Sequence, residues 1–309
     1  MAEKIYVIGH KSPDLDSVAA AISYAELKNK ITQTDKYLPA AAGEVNRETA
    51  FALEKFGFSK PEILKNAAGK KVILVDHNEF SQAVDGIKEA EIVEVLDHHK
   101  IDFSYDKPIE FRVRPWGATC TLIAQLAANN GVELSQNMAG LMLSAILVDT
   151  VITKSPTTTD KDKEIIEKLS QIAGINWQEY GLELFKVRSS VSDLSAPEII
   201  KSDFKYFEFK SGKFGIGQVE TVDLNEFKDR NQELLTALGE LKKEGGYHSV
   251  ILFITDILKE GSLFLVASSD EEGVGKALGG KLENGQAYID GIISRKKQVV
   301  PKLTEAFDK

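Results

Sequence analysis

The chain is poor in several things, and each shortage excludes something. It has one cysteine, Cys120, in 309 residues, so no intrachain disulfide can form. That residue sits in an apolar helical run and reads as a small buried hydrophobe. No apolar run approaches the roughly 20 residues needed to span a bilayer. The N-terminus leads directly into an apolar segment at Ile5 without a secretory leader pattern. These features predict a cytoplasmic protein with no membrane partner. Positive charge is also short: 38 Lys and Arg against 47 Asp and Glu leave a net charge of -9. Binding long nucleic acid through its backbone needs a basic surface, so no nucleic-acid partner is expected. A local basic pocket stays possible.

What is present is an ordinary soluble composition, 43% hydrophobic and 28% charged, over a length that suits two domains. Lys4–Ile8 reads as a buried strand, followed by the loop Gly9-His10-Lys11-Ser12-Pro13-Asp14-Leu15-Asp16-Ser17 and an Ala-rich helix. The plain alternative for this loop is a helix cap, with Asp16 or Ser17 as N-cap. Val72–Val75 and Ile92–Leu96 are continuous apolar runs, as in central parallel strands. Strands are also expected at Tyr37–Ala42 and Ile109–Arg114. Helices are expected over Asn46–Phe56, Glu79–Ile87, Gly117–Asn129, Met138–Ile146, a capping box at Thr159 and Asp162 running to Leu169, and Trp177–Val187.

Alternating strands and helices predict an α/β, doubly wound parallel sheet, covered on both faces, over 1–188. Residues 189–196 break the pattern and read as a linker. Residues 197–309 have a different texture, that of a smaller mixed α/β domain. A hairpin surrounds Ser211-Gly212, a long helix runs from Leu224 to Leu241, strands follow at Val250–Thr255 and Leu263–Ala267, and a short helix covers Glu271–Leu278.

Apolar segments of the first domain deliver acid and imidazole groups one after another. These are His10, Asp14 and Asp16, then Asp76, then Asp97-His98-His99, then Asp149. In a doubly wound sheet the C-terminal strand ends lie side by side, so the groups would converge. Carboxylates gathered without cations repel and raise one another's pKa. Two divalent ions would cancel about -4 of charge, and one carboxylate can bridge two ions roughly 3.5–4 Å apart. Asp76, alone on a central strand, is the natural bridge. Oxygen plus imidazole ligands suit Mn²⁺, Co²⁺ or Zn²⁺ better than Mg²⁺ alone. A water between two such ions becomes a hydroxide nucleophile near neutral pH, which points to hydrolysis of a phosphoryl bond.

The matching cations come later in the chain, at Arg295-Lys296-Lys297 and at Lys205. Taken alone, the first is more often a solvated run and the second an outward lysine of a hairpin. Together they could clamp phosphate oxygens across a cleft between the domains. His77 reads as a ligand, an orienting group or neither. Asp97 reads as a partner that orients an imidazole. His98 and His99 would divide their rings between metal and substrate. His248 reads as structural.

In order along the chain, His10-x3-Asp14-x-Asp16, Val75-Asp76-His77-Asn78-Glu79, Asp97-His98-His99, Asp149-Thr150 and Ser294-Arg295-Lys296-Lys297-Gln298 resemble the motifs of the family II inorganic pyrophosphatases. These are manganese-dependent members of the DHH phosphoesterase superfamily. The resemblance implies one metal on His10, Asp14 and Asp76, and a second on Asp16, Asp76, His98 and Asp149. It implies diphosphate on His99, Lys205, Arg295 and Lys296. It also implies Mn²⁺ or Co²⁺, two per subunit, with Mg²⁺ accompanying the substrate, and a cytoplasmic homodimer. Val148 stands where the pattern has Ser, beside a ligand position. The alternative is an exopolyphosphatase or short-oligonucleotide phosphodiesterase of the same superfamily. The nuclease-type relatives usually carry Gly-Gly-Gly-His in the second domain, which Gly245-Gly246-Tyr247-His248 imitates poorly, and the Arg-Lys-Lys motif stands in its place.

Overall fold

The computed structural model describes residues 4–191 and 193–308. The chain divides after Val187 into two compact units. In the first unit the order is β1 (Ile5–Ile8), α1 (Leu15–Thr32), β2 (Tyr37–Ala41), α2 (Arg47–Lys55), β3 (Glu62–Ile63), β4 (Lys71–Val75), β5 (Glu91–Asp97), β6 (Glu110–Val113), α3 (Thr119–Asn129), α4 (Gln136–Asp149), α5 (Asp160–Ala173) and α6 (Trp177–Ser189). The six strands pair in parallel in the order β3-β2-β1-β4-β5-β6. The sheet therefore winds outward both ways from β1 and β4, and that switch is where the loops after both strands open.

The winding also explains how the two faces are covered. Crossovers between parallel strands are right-handed, so reversing direction in the sheet moves the connection to the other face. Connections β1 to β2 and β2 to β3 carry α1 and α2, which join α3, α4 and α5 in a core on Ile5, Val7, Ile73 and Val75. The opposite face, with Ile8, Val72, Leu74, Ile92 and Val95, is covered by Leu64, Ala67, Ala83, Val84 and Ile87. The helix expected over Glu79–Ile87 does not form; the only helical geometry there is a single 3₁₀ turn at Ile87–Glu89. Its carbonyls serve other loops instead: Gln82 accepts from Lys11 N at 2.7 Å and Asp85 from Ala67 N at 2.8 Å. Gly86, in left-handed backbone, ends the segment, and a Cβ there would lie 2.3 Å from Asn66 Oδ1.

Other helices follow their sequence signals. Asn46 caps α2, and Thr159 with Asp162 forms a capping box on α5. Helix α4 is buried from Met138 to Val148, as its all-round apolarity demands. Cys120 is buried. The N-cap of α1 is Asp14, one turn of logic earlier than the expected Asp16 or Ser17: its carboxylate accepts from Ser17 N at 2.9 Å. Asp16 is thereby inside the first turn, free of the capping duty.

The second unit holds α7 (Ala196–Lys201), β7 (Phe204–Phe209), β8 (Gly212–Thr221), α8 (Asn225–Lys228), α9 (Asn231–Glu244), β9 (Ser249–Asp256), β10 (Gly261–Ser268), α10 (Glu271–Leu278), β11 (Gln286–Asp290), a π-helical turn (Arg295–Val299) and α11 (Val300–Phe307). Its mixed sheet has the order β11-β10-β9-β8-β7, with only β8 and β9 parallel. Helices α7 and α9 cover one face and α10 and α11 the other. The expected long helix from Leu224 is broken at Asp229-Arg230. Asp and Asn are weak helix formers, and Arg230 is anchored sideways to the Val191 carbonyl at 3.0 Å. His248 stacks on Phe214, with ring centroids 4.9 Å apart, in keeping with a structural role. No helix among the described residues is long and apolar enough to cross a membrane.

Candidate metal centre

Loops after β1, β4 and β5, with the end of α4, bring the acid and imidazole groups together. Two sets have ligand atoms all within 4.8 Å of one another: His10, Asp14 and Asp76, and Asp16, Asp76, His98 and Asp149. Asp76 belongs to both. A further set, Asp76, His98 and His99, satisfies the same distance limit. His77 and Asp97 belong to none of the three sets.

Each side chain is aimed by its local backbone. The loop after β1 folds back on helix α1: His10 N donates to Ser17 Oγ at 3.1 Å. A Cβ on Gly9 would sit 1.8 Å from that oxygen, so only glycine allows the approach. Asp76 leaves β4 in left-handed backbone, φ 63°, a conformation that Asp tolerates better than most residues. Its N–H still pairs with Leu96 O at 2.9 Å, which pins the turn to β5.

Both inward imidazoles use the same device. His10 Nδ1 donates to Lys11 O at 2.7 Å and His98 Nδ1 to Trp116 O at 2.9 Å. This sets Nε2 toward the carboxylates. His10 Nε2 lies 3.5 Å from Asp14 Oδ2 and 3.4 Å from Asp76 Oδ2. His98 Nε2 lies 3.4 Å from Asp76 Oδ1 and 3.9 Å from Asp149 Oδ2.

The electrostatics of the set are those of crowded acids seeking cations. Burial opposes protonation of His10, but Asp14 and Asp76 outweigh it and raise its pKa to about 11. Burial likewise opposes protonation of His98, and Asp76 outweighs it, giving about 10. Burial and the charge of Asp76 push Asp16 up to about 7. Burial and the charge of Asp16 raise Asp149 well above the carboxylate range. Asp76, although its burial opposes ionisation, is held low by His10 and His98.

Around this set stand further groups, and for the first turn of α3 the sequence suggested no part in the centre. The first turn of α3 has no side-chain cap, because its N-cap is Ala118. Its N–H groups donate instead to Asp16: Thr119 N to Oδ2 at 2.6 Å and Cys120 N to Oδ1 at 3.0 Å. Asp162, wholly buried, accepts from Gly117 N at 2.8 Å and Thr121 Oγ1 at 2.6 Å, and so braces that turn. Asn78 donates to Asp97 Oδ2 at 2.5 Å. The one faint signal for the α3 turn was the Gly117-Ala118-Thr119 opening of a buried helix. His77 is buried, donates from Nδ1 to Val75 O at 2.9 Å, and is pushed down in pKa by burial.

The cations predicted in the second unit stand apart from one another in character. Lys205, on β7, and Lys296 are exposed. Arg295 is buried and committed: Nη2 contacts both Asp203 carboxylate oxygens, at 2.7 and 2.9 Å, and Nη1 donates to Asp203 O at 2.6 Å. Ser294 caps the π-helical turn by accepting from Lys297 N at 3.2 Å, and Gln298 Oε1 accepts from Ile293 N and Ser294 N.

Comparison with known proteins agrees along the whole chain. Residues 4–146 match the DHH family N-terminal domain and residues 182–306 the DHHA2 domain. The manganese-dependent inorganic pyrophosphatase of Methanothrix thermoacetophila is 48% identical, covering all of both chains. That of Methanocaldococcus jannaschii is 44% identical over 98% of this chain and 99% of its own. A crystal structure from Methanococcus jannaschii assigned to family II inorganic pyrophosphatases superposes with a TM-score of 0.62 at 44% identity, covering 99% of this chain and 100% of the other. An exopolyphosphatase-related protein of Bacteroides fragilis, 13% identical with a TM-score of 0.52 over 99% of this chain and 92% of its own, shares the fold. Identity of this depth over the full length of both chains, with both domain types matched in order, means that the chain belongs to the manganese-dependent, family II inorganic pyrophosphatases.

Proposed function

We propose that the chain hydrolyses inorganic pyrophosphate to two orthophosphates at a centre for two divalent ions. The observation that carries this reading is the sharing of Asp76 by two ligand groups, His10–Asp14–Asp76 and Asp16–Asp76–His98–Asp149. The donor set fits the ions: four carboxylates balance two dications, and the two imidazoles present Nε2 inward. Asp16 takes only one N–H on each oxygen, which leaves lone pairs for a cation. Ions held here would supply a low-pKa water as nucleophile and neutralise charge on the phosphoryl oxygens.

The remaining work falls to side chains. His99, half-exposed beside His98, would contact the substrate. Lys205 and Lys296 offer exposed ammonium groups for phosphate oxygens. The family resemblance adds Arg295 to the substrate's cations, with its guanidinium held by Asp203. Mn²⁺ or Co²⁺, two per chain, with Mg²⁺ accompanying the substrate, completes the reading. The family resemblance supports a homodimer, and the single buried thiol is compatible with a cytoplasmic setting.

The test is phosphate release by the Mn²⁺-loaded chain from pyrophosphate, from polyphosphate and from short oligonucleotides, alongside elemental analysis. Release from pyrophosphate foremost, with two ions per chain, is expected. Faster turnover of polyphosphate or oligonucleotides would favour the other superfamily activities. Sedimentation at working concentration tests the dimer.

A further inference from the structure

Thr119 makes two contacts that no other residue of the centre combines. Its N–H reaches Asp16 Oδ2 at 2.6 Å and its hydroxyl reaches Asp76 Oδ1 at 3.0 Å. The residue is wholly buried, and so are both carboxylates. It is the first residue of α3, where a helix has N–H groups without intrahelical acceptors. Ala118, in the capping position, has no side-chain acceptor for them. Asp16, more than a hundred positions away in sequence, takes the place of the cap. Thus one residue ties the helix, the ligand Asp16 and the shared ligand Asp76 together.

The donor inventory of Asp76 shows why the hydroxyl matters. The other side chains within reach are His10 Nε2 at 3.4 Å from Oδ2 and His98 Nε2 at 3.4 Å from Oδ1. An imidazole that coordinates through Nε2 carries no proton there. Both would then cease to donate to Asp76. The Thr119 hydroxyl keeps its proton and its acceptor in either state. A β-branched residue at the start of a helix has few χ1 choices, so the oxygen is held on target at small entropic cost. Asp162 further fixes the turn through Gly117 N and Thr121 Oγ1.

We infer that Thr119 is a positioning residue of the metal centre, whose hydroxyl holds the shared carboxylate of Asp76 in the orientation that serves two cations at once. This rests on the dinuclear reading above. Removal of a hydrogen-bond partner behind a metal ligand weakens metal affinity about 10–100-fold.

The experiment uses the full chain, stripped of metal and titrated with Mn²⁺ by calorimetry, with the melting temperature of the stripped chain and steady-state pyrophosphate kinetics measured in parallel. Thr119→Val removes the hydroxyl and keeps the shape and the backbone N–H. It is expected to weaken at least one of two Mn²⁺ sites by about 10-fold or more and to lower kcat with little change in KM at saturating Mn²⁺. Thr119→Ser, which restores the oxygen, is expected to return Mn²⁺ affinity to within about threefold of the parent. Should Thr119→Val fail to fold, Thr119→Ala against Thr119→Ser makes the same comparison. Equal Mn²⁺ affinity in parent and Thr119→Val, or equal weakening in Thr119→Val and Thr119→Ser, overturns the assignment. Asp76→Asn is the reference arm. If it retains both ions, the shared-ligand reading falls and this one with it; if it loses them while Thr119→Val does not, only the role of Thr119 falls.

Discussion

Oδ1 of Asp97 lies 2.9 Å from Nδ1 of His99 and also accepts the His99 backbone N–H at 3.1 Å. The carboxylate is buried while the ring is half-exposed, so a fixed acid holds a wet imidazole by its Nδ1. Asp97, beside the ring, raises the His99 pKa above its ordinary 6.5 despite the opposing effect of burial. A pKa raised by folding adds stability below about pH 6.5, and that contribution fades as the pH climbs through the raised value.

Asp97→Asn should therefore bring the His99 titration back down, as followed by the ring proton resonances of the metal-free chain. Metal content should stay at two per chain while kcat falls about 10-fold, the scale of a lost orienting contact. An unmoved His99 titration would show that the carboxylate does not govern this ring.

Asp76 belongs to both groups of candidate ligands. Asp76→Ala should abolish pyrophosphate hydrolysis and leave the purified protein with well under two ions. Retention of full occupancy by elemental analysis contradicts the bridging role.

Lys296 and Arg295 are neighbours with opposite surroundings. Lys296→Ala, at an exposed position, should leave metal content and melting temperature unchanged and lower kcat/KM strongly, by about 10-fold or more if the ammonium neutralises phosphoryl charge. Arg295→Ala should slow turnover as well but also cost stability, roughly 2 kcal/mol for its charge-assisted bonds to Asp203. Equal denaturation midpoints for the two variants would refute that contrast. Loss of metal with an unchanged rate in Lys296→Ala would refute the assignment of that lysine to the substrate.

Away from the centre, the buried Glu94 accepts from Tyr24 Oη at 2.5 Å and from Lys28 Nζ at 2.9 Å. Burial, and then the charge of Glu94, push the Tyr24 phenol well above its usual 10. Burial raises Glu94 too. Both shifts have one sign: stability is present below the ordinary pKa and is lost as pH rises through the folded value. The Tyr24 contribution should decay above about pH 10. Tyr24→Phe should flatten the stability curve there, measured as urea midpoint against pH. A parallel alkaline decline in both chains would locate the effect elsewhere.

Most strands of the first sheet, and the acid and imidazole groups that converge beyond them, were legible in the amino-acid string, because apolar runs mark buried strands and polar side chains follow such runs. Val72–Val75 and Ile92–Leu96 needed no partner to be recognised, and neither did the Asp76 and His98 that follow them. The Thr159–Asp162 capping box is equally local. Tertiary structure decided what depends on distant partners. Glu79–Ile87 has a helical pattern, yet the carbonyls of Gln82 and Asp85 are taken by loops far along the chain, so no helix forms. Asp16 could have been a cap; Asp14 caps, and Asp16 is released to receive two N–H groups from a helix a hundred residues on. Thr119 carries no chemical signature of its own, since a threonine in a buried helix usually only packs. Its place beside two carboxylates exists only once the sheet has wound outward from β1 and β4 and set α3 against them. Local residue chemistry is written in sequence, whereas the orientation of a ligand is set by hydrogen bonds between segments that meet only in the folded chain.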